Sequence, residues 1–441
     1  MREVIHIQGG GCGNKISANF WETITAEHQL NPYGIYEGNY GLELDKLSIF
    51  FKEGYRSHLF PRAILFDTEP TTIESILAGP YSKLYSPDSI ITGNTGTGNC
   101  YAKGYLSKGT ELRNLILDRL RKEAEECDCL QGFQIVHSIG GGTGSGMISC
   151  LLKDIKNQFY NKITETYTVF PSNMYQDTVV EPYNAVLSLA QMKEYADIIH
   201  VIDNEALFNI CSNHLRLSKP DIHDLNQLIA SLISGVTCSY RFPGQLNYGM
   251  RKLVTNLIPF DKLSFVISSY APFPSKMRIL KQSLTVDQLT QKIYDKSYFM
   301  CSCNPTKGKY FTSAAIYRGK VSMNEIDEKM KEMRNKTTMN YAEWIPDNCV
   351  NYYCDITPFD KKEAASFIGN SSAVKSIFQQ MKKKFKKMFK RNAFLHCYTG
   401  ERMNSLEFEE AVSAVSDTAY MYDCYEKEKA EIDDVGEEEE E

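Results

Sequence analysis

Three clusters of glycine with hydroxyl and amide neighbours carry most of the chemical information in this chain. They are Gly9-Gly10-Gly11-Cys12-Gly13, Gly93-Asn94-Thr95-Gly96-Thr97-Gly98-Asn99 and Gly140-Gly141-Gly142-Thr143-Gly144-Ser145-Gly146. Glycine lets backbone N–H groups approach phosphate oxygens, and a following helix points its positive end at them. The first and third clusters follow apolar runs that read as strands, Val4-Ile5-His6-Ile7 and Phe133-Gln134-Ile135-Val136-His137-Ser138. In an open α/β sheet, ligands bind at the carboxyl ends of strands. Asp67 and Glu69 follow a further strand, Arg62-Ala63-Ile64-Leu65-Phe66. Magnesium prefers one or two carboxylates with water and substrate phosphates. The same two acids would also suit a solvated turn or helix cap before Pro70.

The common phosphate-loop patterns do not fit. A Walker loop ends in Gly-Lys-Ser/Thr, but Gly308-Lys309 and Gly319-Lys320 are followed by Tyr310 and Val321. A dinucleotide fold wants G-x-G-x-x-G. Gly142-Thr143-Gly144 continues Ser145-Gly146, one residue short of it. A dinucleotide oxidoreductase is thus a remote alternative.

The elements that position these loops read as α/β. Residues 1–203 alternate strands and helices, with further strands at Thr166 to Phe170 and Ile198 to Ile202, which argues a parallel sheet covered by helices on both faces. A central helix is expected over about 221–240, because Leu225, Leu228, Ile229, Leu232, Ile233 and Val236 form one apolar stripe at helical period. Mixed strands and helices follow to about 370, giving an intermediate α+β domain over 204–370. Helices at about 373–390 and 405–428 form a C-terminal helical surface over 371–430, and an acidic tail occupies 431–441. No apolar run approaches the ~18 residues that a membrane helix needs. The start, Met1-Arg2-Glu3-Val4-Ile5, lacks the regions of a signal peptide. A cytoplasmic protein with buried thiols among its thirteen cysteines is expected. The pairs Cys127/Cys129 and Cys301/Cys303 are C-x-C, a poor match to zinc spacing.

The net charge of −6 is carried by the tail. Its eight acids are Glu431, Asp433, Asp434 and Glu437 to Glu441, and removing them turns −6 into +2. Such a segment self-repels and buries little, so it reads as a solubilising end or as bait for basic partners. The run from Lys382 to Arg391 is basic with Phe385, Met388 and Phe389 interleaved. It reads as a solvated helix face over an apolar one. Nothing else in the sequence supports nucleic-acid binding.

The segment from Gly140 to Gly146 resembles the signature of the tubulin family, shared more loosely with bacterial division GTPases. Further segments resemble the same family: Asp177 to Ala185, Ile202 to Leu207, Arg241 to Asn247, and Phe367 to Ser371. Within it the chain is similar to the β type. It begins Met1-Arg2-Glu3-Val4, its stretch from Asp355 to Ser371 is short, and Lys252 stands where α-type members carry a catalytic glutamate. The resemblance implies a tubulin-type GTPase domain that binds GTP or GDP with magnesium. It places phosphates over Gly142, Thr143 and Gly144 and over Gly96, Thr97, Gly98 and Asn99. It gives the magnesium to Glu69, with Asp67 ordering that loop. It sets Gly11 and Cys12 at the nucleotide, Ser138 near the base, Asp177 and Glu181 at the ribose, and Asn204 and Asn226 at the guanine edge, with Ile222 beside them. It implies no catalytic acid in this chain for its own GTP: the acid would come from an α-tubulin partner. It also implies microtubule assembly, lateral contact with neighbouring protofilaments, and motors and associated proteins recruited through the acidic tail, with no membrane or nucleic-acid partner.

The chain departs from the family at three places. Gly11 stands where the family has glutamine. Ile222 replaces a tyrosine that stacks on guanine, and isoleucine has no π face. The lateral loop reads Pro274-Ser275-Lys276-Met277-Arg278-Ile279-Leu280-Lys281-Gln282, with Lys281 replacing an aromatic. These changes suggest, as an alternative, a specialised β-type subunit with weak or altered turnover.

Overall fold

The computed structural model describes residues 2–38, 41, 46–54, 57–172, 178–244, 248–274, 284–335, 340–359 and 361–428. Asp177, Gln245 to Asn247, most of the lateral loop and the acidic tail lie outside them.

The strands are β1 (Val4–Gly9), β2 (Phe51–Glu53), β3 (Leu59–Pro61), β4 (Ala63–Asp67), β5 (Ile90–Thr92), β6 (Gly132–Ser138), β7 (Ile163–Phe170), β8 (Ile198–Asp203), β9 (Phe265–Ala271), β10 (Tyr310–Gly319), β11 (Cys349–Cys354) and β12 (Glu363–Ser371). The helices are α1 (Gly10–Glu27), α2 (Pro70–Leu77), α3 (Lys108–Glu125), α4 (Ile148–Gln158), α5 (Glu181–Tyr195), α6 (Asn204–Asn213), α7 (Ile222–Arg241), α8 (Met250–Leu257), α9 (Val286–Tyr294), α10 (Met323–Asn335), α11 (Lys375–Phe389), α12 (His396–Thr399) and α13 (Ser405–Lys427).

Ten strands form one sheet in the order β11-β10-β12-β9-β8-β7-β6-β1-β4-β5. Pairing is parallel from β5 through β9, and β12 runs antiparallel to both β9 and β10. The sheet therefore continues across the expected boundary at residue 203, through the β8–β9 pairing. Successive side chains on a strand point to opposite faces. Ile5 and Ile7 of β1 join the core under α3, α4, α5, α9, α11 and α13, whereas Val4 joins the core under α1, α2, α6, α7 and α8. Buried on both faces, the central strands read as near-continuous apolar runs.

The expected central helix is α7, with Asp221 and Asp224 forming its capping box. The stripe understates its burial: every residue from Asp224 to Arg241 except Gln227 is buried, because the helix lies between the sheet and α1, α6 and neighbouring segments. α1 and α7 run side by side away from the same end of the sheet. Their far ends are joined by an ion cluster in which Glu27 meets Arg241 at 2.7 Å and Arg318 of β10 at 2.9 Å, with Ser234 donating to Glu27 at 2.8 Å. Burial alone would push the Glu27 carboxyl up, but the Arg318 and Arg241 guanidinium groups hold it down at about 2.

Candidate functional site

The carboxyl ends of β1, β4 and β6 lie side by side, so the loops that leave them converge. β1 passes into α1 with no intervening loop. The turn is made at Gly10, whose φ of +74° suits glycine, and a Cβ there would lie 3.2 Å from the Gly144 nitrogen. The sequence reading of Gly9 to Gly13 as a loop is corrected here: Gly11, Cys12 and Gly13 belong to the first turn of α1. Gly11 keeps an ordinary helical conformation, and a Cβ at that position would meet only Thr72 Oγ1 at 3.3 Å and Asp67 Oδ2 at 4.0 Å. Cys12 is half-buried against the α7 side of the core. Asn14 Nδ2 ties the turn to β4, donating to the carbonyls of Gly10 and Phe66, each at 3.0 Å.

Beyond β6 the chain does not begin an ordinary α-helix. Thr143–Met147 forms one wide π-type turn before α4, and Lys103–Ser107 forms another before α3. Such turns are rare and recur at functional sites. Here the two pack together. A Cβ on Gly142 would sit 2.5 Å from Thr97 Oγ1 and 2.7 Å from the Cys100 nitrogen. Only glycine permits that approach. Thr143 links three loops, its hydroxyl lying 2.7 Å from that of Thr68 and 3.4 Å from that of Thr97. Ser138 ends β6, and its hydroxyl accepts from the Gly140 N–H at 3.3 Å, which places it at the head of this loop.

Asn184 of α5 is the residue that sequence reasoning passed over. It is fully buried. Its Nδ2 donates to the carbonyls of Asn99 at 2.7 Å and Gly140 at 2.8 Å, joining the second and third glycine clusters. Its Oδ1 accepts from the Tyr101 N–H at 3.0 Å and the Tyr398 hydroxyl at 2.7 Å. Beneath the loop, His137 Nδ1 lies 2.8 Å from the Gly144 carbonyl. Burial lowers the His137 pKa to about 4, so the ring stays neutral and adds no charge.

The two loops leave an open space between them. Gly98 and Asn99 have φ of +57° and +55°, nothing lies within 4 Å of where a Gly98 Cβ would be, and Gly141 faces only Asn99 Oδ1 at 3.8 Å. Gly98 and Asn99 make a turn there, and backbone N–H groups in turns can line a site for an anion. Asp67 and Glu69 border it. Asp67 is buried, its Oδ1 accepting the Thr68 N–H at 2.7 Å, and Glu69 is exposed at the head of α2 with its carboxylate against Gly96. Burial first, and the nearby Glu69 charge to a lesser degree, raise the Asp67 pKa to about 6. Two acids beside a phosphate cradle fit a magnesium ion that takes its other ligands from phosphate and water.

The remaining residues singled out in the sequence stand at the starts of α5, α6 and α7 and on α8. Glu181 opens α5 and lies against Gly140, with Oε1 accepting from the Thr178 N–H at 3.3 Å. Asn204 is the first residue of α6, just after β8. Ile222, the first residue of α7, is 60% exposed. Asn226, one turn on, is buried. Lys252 lies on α8, with its Nζ 5.8 Å from the centre of the Tyr352 ring.

Two family models match the chain: the GTPase domain of the Tubulin/FtsZ family over residues 3–212, and the tubulin C-terminal domain over residues 261–383. The chain belongs to the tubulin family. Tubulin-family membership implies GTP or GDP binding and polymerisation with like subunits. The GTPase match spans β1 to β8 and most of α6, the elements that carry all three glycine clusters. No helix among the described residues is long and apolar enough to cross a membrane. All thirteen cysteines are free thiols, and no cluster of three metal-ligating side chains occurs among the described residues.

Proposed function

We propose that this chain is a β-type tubulin subunit that holds an exchangeable GTP with magnesium, pairs with α-tubulin and assembles into microtubules. The observation that carries the nucleotide reading is the joining of the two glycine loops by Asn184 and Thr143, with the space beside Gly98 left open. In this reading the backbone of Gly142, Thr143 and Gly144, with Asn99, holds the phosphates. Gly11 and Cys12 line the same end, with Ser138 behind the loop. Glu69 holds the magnesium. Asp177 and Glu181 approach the ribose, and Asn204 and Asn226 read the guanine edge beside Ile222. An amide offers a donor and an acceptor together, which matches guanine's carbonyl and amino groups.

Phosphoryl transfer needs positioning, charge neutralisation and an oriented water. The loops would position the phosphates, and Glu69 would hold the magnesium whose charge offsets theirs. The water-activating acid comes from the α partner. Lys252 is a cation and cannot serve as that base for the nucleotide of a partner facing it, so that partner's GTP persists. The contact is heterologous and does not close, which makes an open filament. The proposed place is the cytoskeleton of the cytoplasm, with motors and associated proteins as partners through the acidic tail.

The test is co-assembly of the purified chain with an α-type subunit, following sedimented polymer and released phosphate. Little phosphate from the chain alone and release on co-assembly is the expected result. Equal release by the chain alone, or assembly without any α-type partner, would sink the β-type reading. A second reading, a specialised subunit with slow turnover, is favoured by Gly11 and the exposed Ile222. Normal turnover in wild type, unchanged in Gly11→Gln, would end it.

A further inference from the structure

We propose that the basic face of α11 is a docking site for this chain's own acidic tail. Lys382, Lys383, Lys386, Lys387, Lys390 and Arg391, with Gln379, line an open groove of about 710 Å³ on the outer side of the helix. Their spacing places them in two adjacent rows along one face. Phe378, Met381 and Phe385 on the opposite face are buried in the core. Like charges four residues apart repel along a helix. None of the six cations has a carboxylate within 4 Å among the described residues, and the positions from Lys382 to Arg391 contain no acid.

The first turn of the same helix shows how such a cation is satisfied. Lys375 is bridged by Asp423 at 2.9 Å and Glu426 at 2.7 Å, both from the last turns of α13. α11 and α13 are therefore antiparallel, and the chain leaves α13 beside the start of α11. The eight acids of 431–441 come next in sequence, against six unmatched cations further along the helix. Length permits the match. The stripe ends ~24 Å from Lys375 at the helical rise per residue, and the thirteen residues after Glu428 span up to ~43 Å when extended. The chain must turn back once at the end of α13 and run alongside α11. The docked tail would neutralise the outer surface and compete with any acidic partner for the same lysines.

The test is zero-length carbodiimide coupling of carboxylates to lysines on the full nucleotide-bound chain, mapped by mass spectrometry at two protein concentrations and two salt concentrations. Expected are adducts between Lys383 or Lys387 and Glu437 to Glu441, in a yield independent of dilution and reduced by salt. The variant Lys382→Glu/Lys386→Glu/Lys390→Glu keeps Lys383 and Lys387 but brings the face to no net charge, and should lower that yield at least about five-fold because the attraction that gathers the two segments is removed. A tail variant with Glu437 to Glu441 changed to Gln leaves α11 intact and should remove the same adducts. Pairing the α11 variant with lysines at Glu437, Glu439 and Glu441 should restore coupling in the opposite sense. Absence of these adducts, a yield that vanishes on dilution (the tail of another molecule), or a yield indifferent to the α11 reversal would overturn the proposal.

Discussion

The two halves of the proposed nucleotide cleft are built by different means. The phosphate half is made of backbone, and its position is fixed many times over. Gly142 is pressed against Thr97 and Cys100, Thr143 against Thr68 and Thr97, and Asn184 joins both loops to α5. The base half depends on side chains at the starts of α6 and α7, where Ile222 is largely exposed. A backbone cradle recognises what every nucleotide shares, whereas side chains select the base. Divergence at residue 222 can therefore tune affinity and selectivity without dismantling the phosphate grip. In the proposed cleft α1 leaves the phosphate half and α7 the base half, so the ion cluster joining their far ends, together with the packing along their length, would keep the halves in register.

Breaking that register is the severest test of the comparison. Arg318→Ala leaves Glu27 buried beside a single guanidinium and should cost about 3–5 kcal/mol, read as a large fall in the denaturant midpoint together with loss of nucleotide. The pH dependence follows from the same cluster. The Glu27 pKa is held below its ordinary 4.5, at about 2 in the folded chain. Its contribution is present in full above 4.5 and is lost as pH falls toward 2. Thermal stability of the wild type should drop through that window, and Glu27→Gln, less stable at neutral pH, should show a flatter profile there.

Next in size is the phosphate half itself. Asn184→Ala strands the Gly140 and Asn99 carbonyls, the Tyr101 N–H and the Tyr398 hydroxyl, and should cost about 2–4 kcal/mol, with nucleotide content falling in the same preparation. Gly142→Ala forces a methyl between the loops at about 1–3 kcal/mol, and its effect should fall on nucleotide affinity more than on melting temperature. Equal damage to affinity from a change at the base half would erase the distinction.

The smaller effects lie where the chain diverges. Ile222→Tyr adds a ring over the base and should tighten guanine nucleotide by about 0.5–1.5 kcal/mol, with little change in melting. Gly11→Gln fits against Thr72 and replaces glycine within a helix. It should stabilise the chain by about 0.5–1 kcal/mol, measured by chemical denaturation.

The meeting of the glycine clusters was legible in the sequence because glycine is punctuation: clusters after apolar runs mark where strands end and backbone must approach something. The parallel sheet, the central helix and the two long C-terminal helices followed from periodicity in the same way. Three features were not legible. Gly10 to Gly13 looked like a loop, since three glycines in the first turn of a helix defy propensity. The π turns at Thr143–Met147 and Lys103–Ser107 arise from packing between segments distant in sequence. Asn184 and the Glu27–Arg318 pair, 291 residues apart, are single polar residues whose meaning exists only in contact. A lone asparagine in an apolar helix carries no periodic signal.

The most direct measurement of the central claim is equilibrium binding of GTP and ATP to the purified chain, beside Gly142→Ala and Ile222→Tyr. Guanine should be preferred over adenine, both nucleotides should be weakened alike in Gly142→Ala, and the guanine nucleotide should be tightened in Ile222→Tyr. Equal affinity for ATP and GTP, or binding untouched by Gly142→Ala, would contradict a cleft that grips phosphate with backbone and reads the base with side chains.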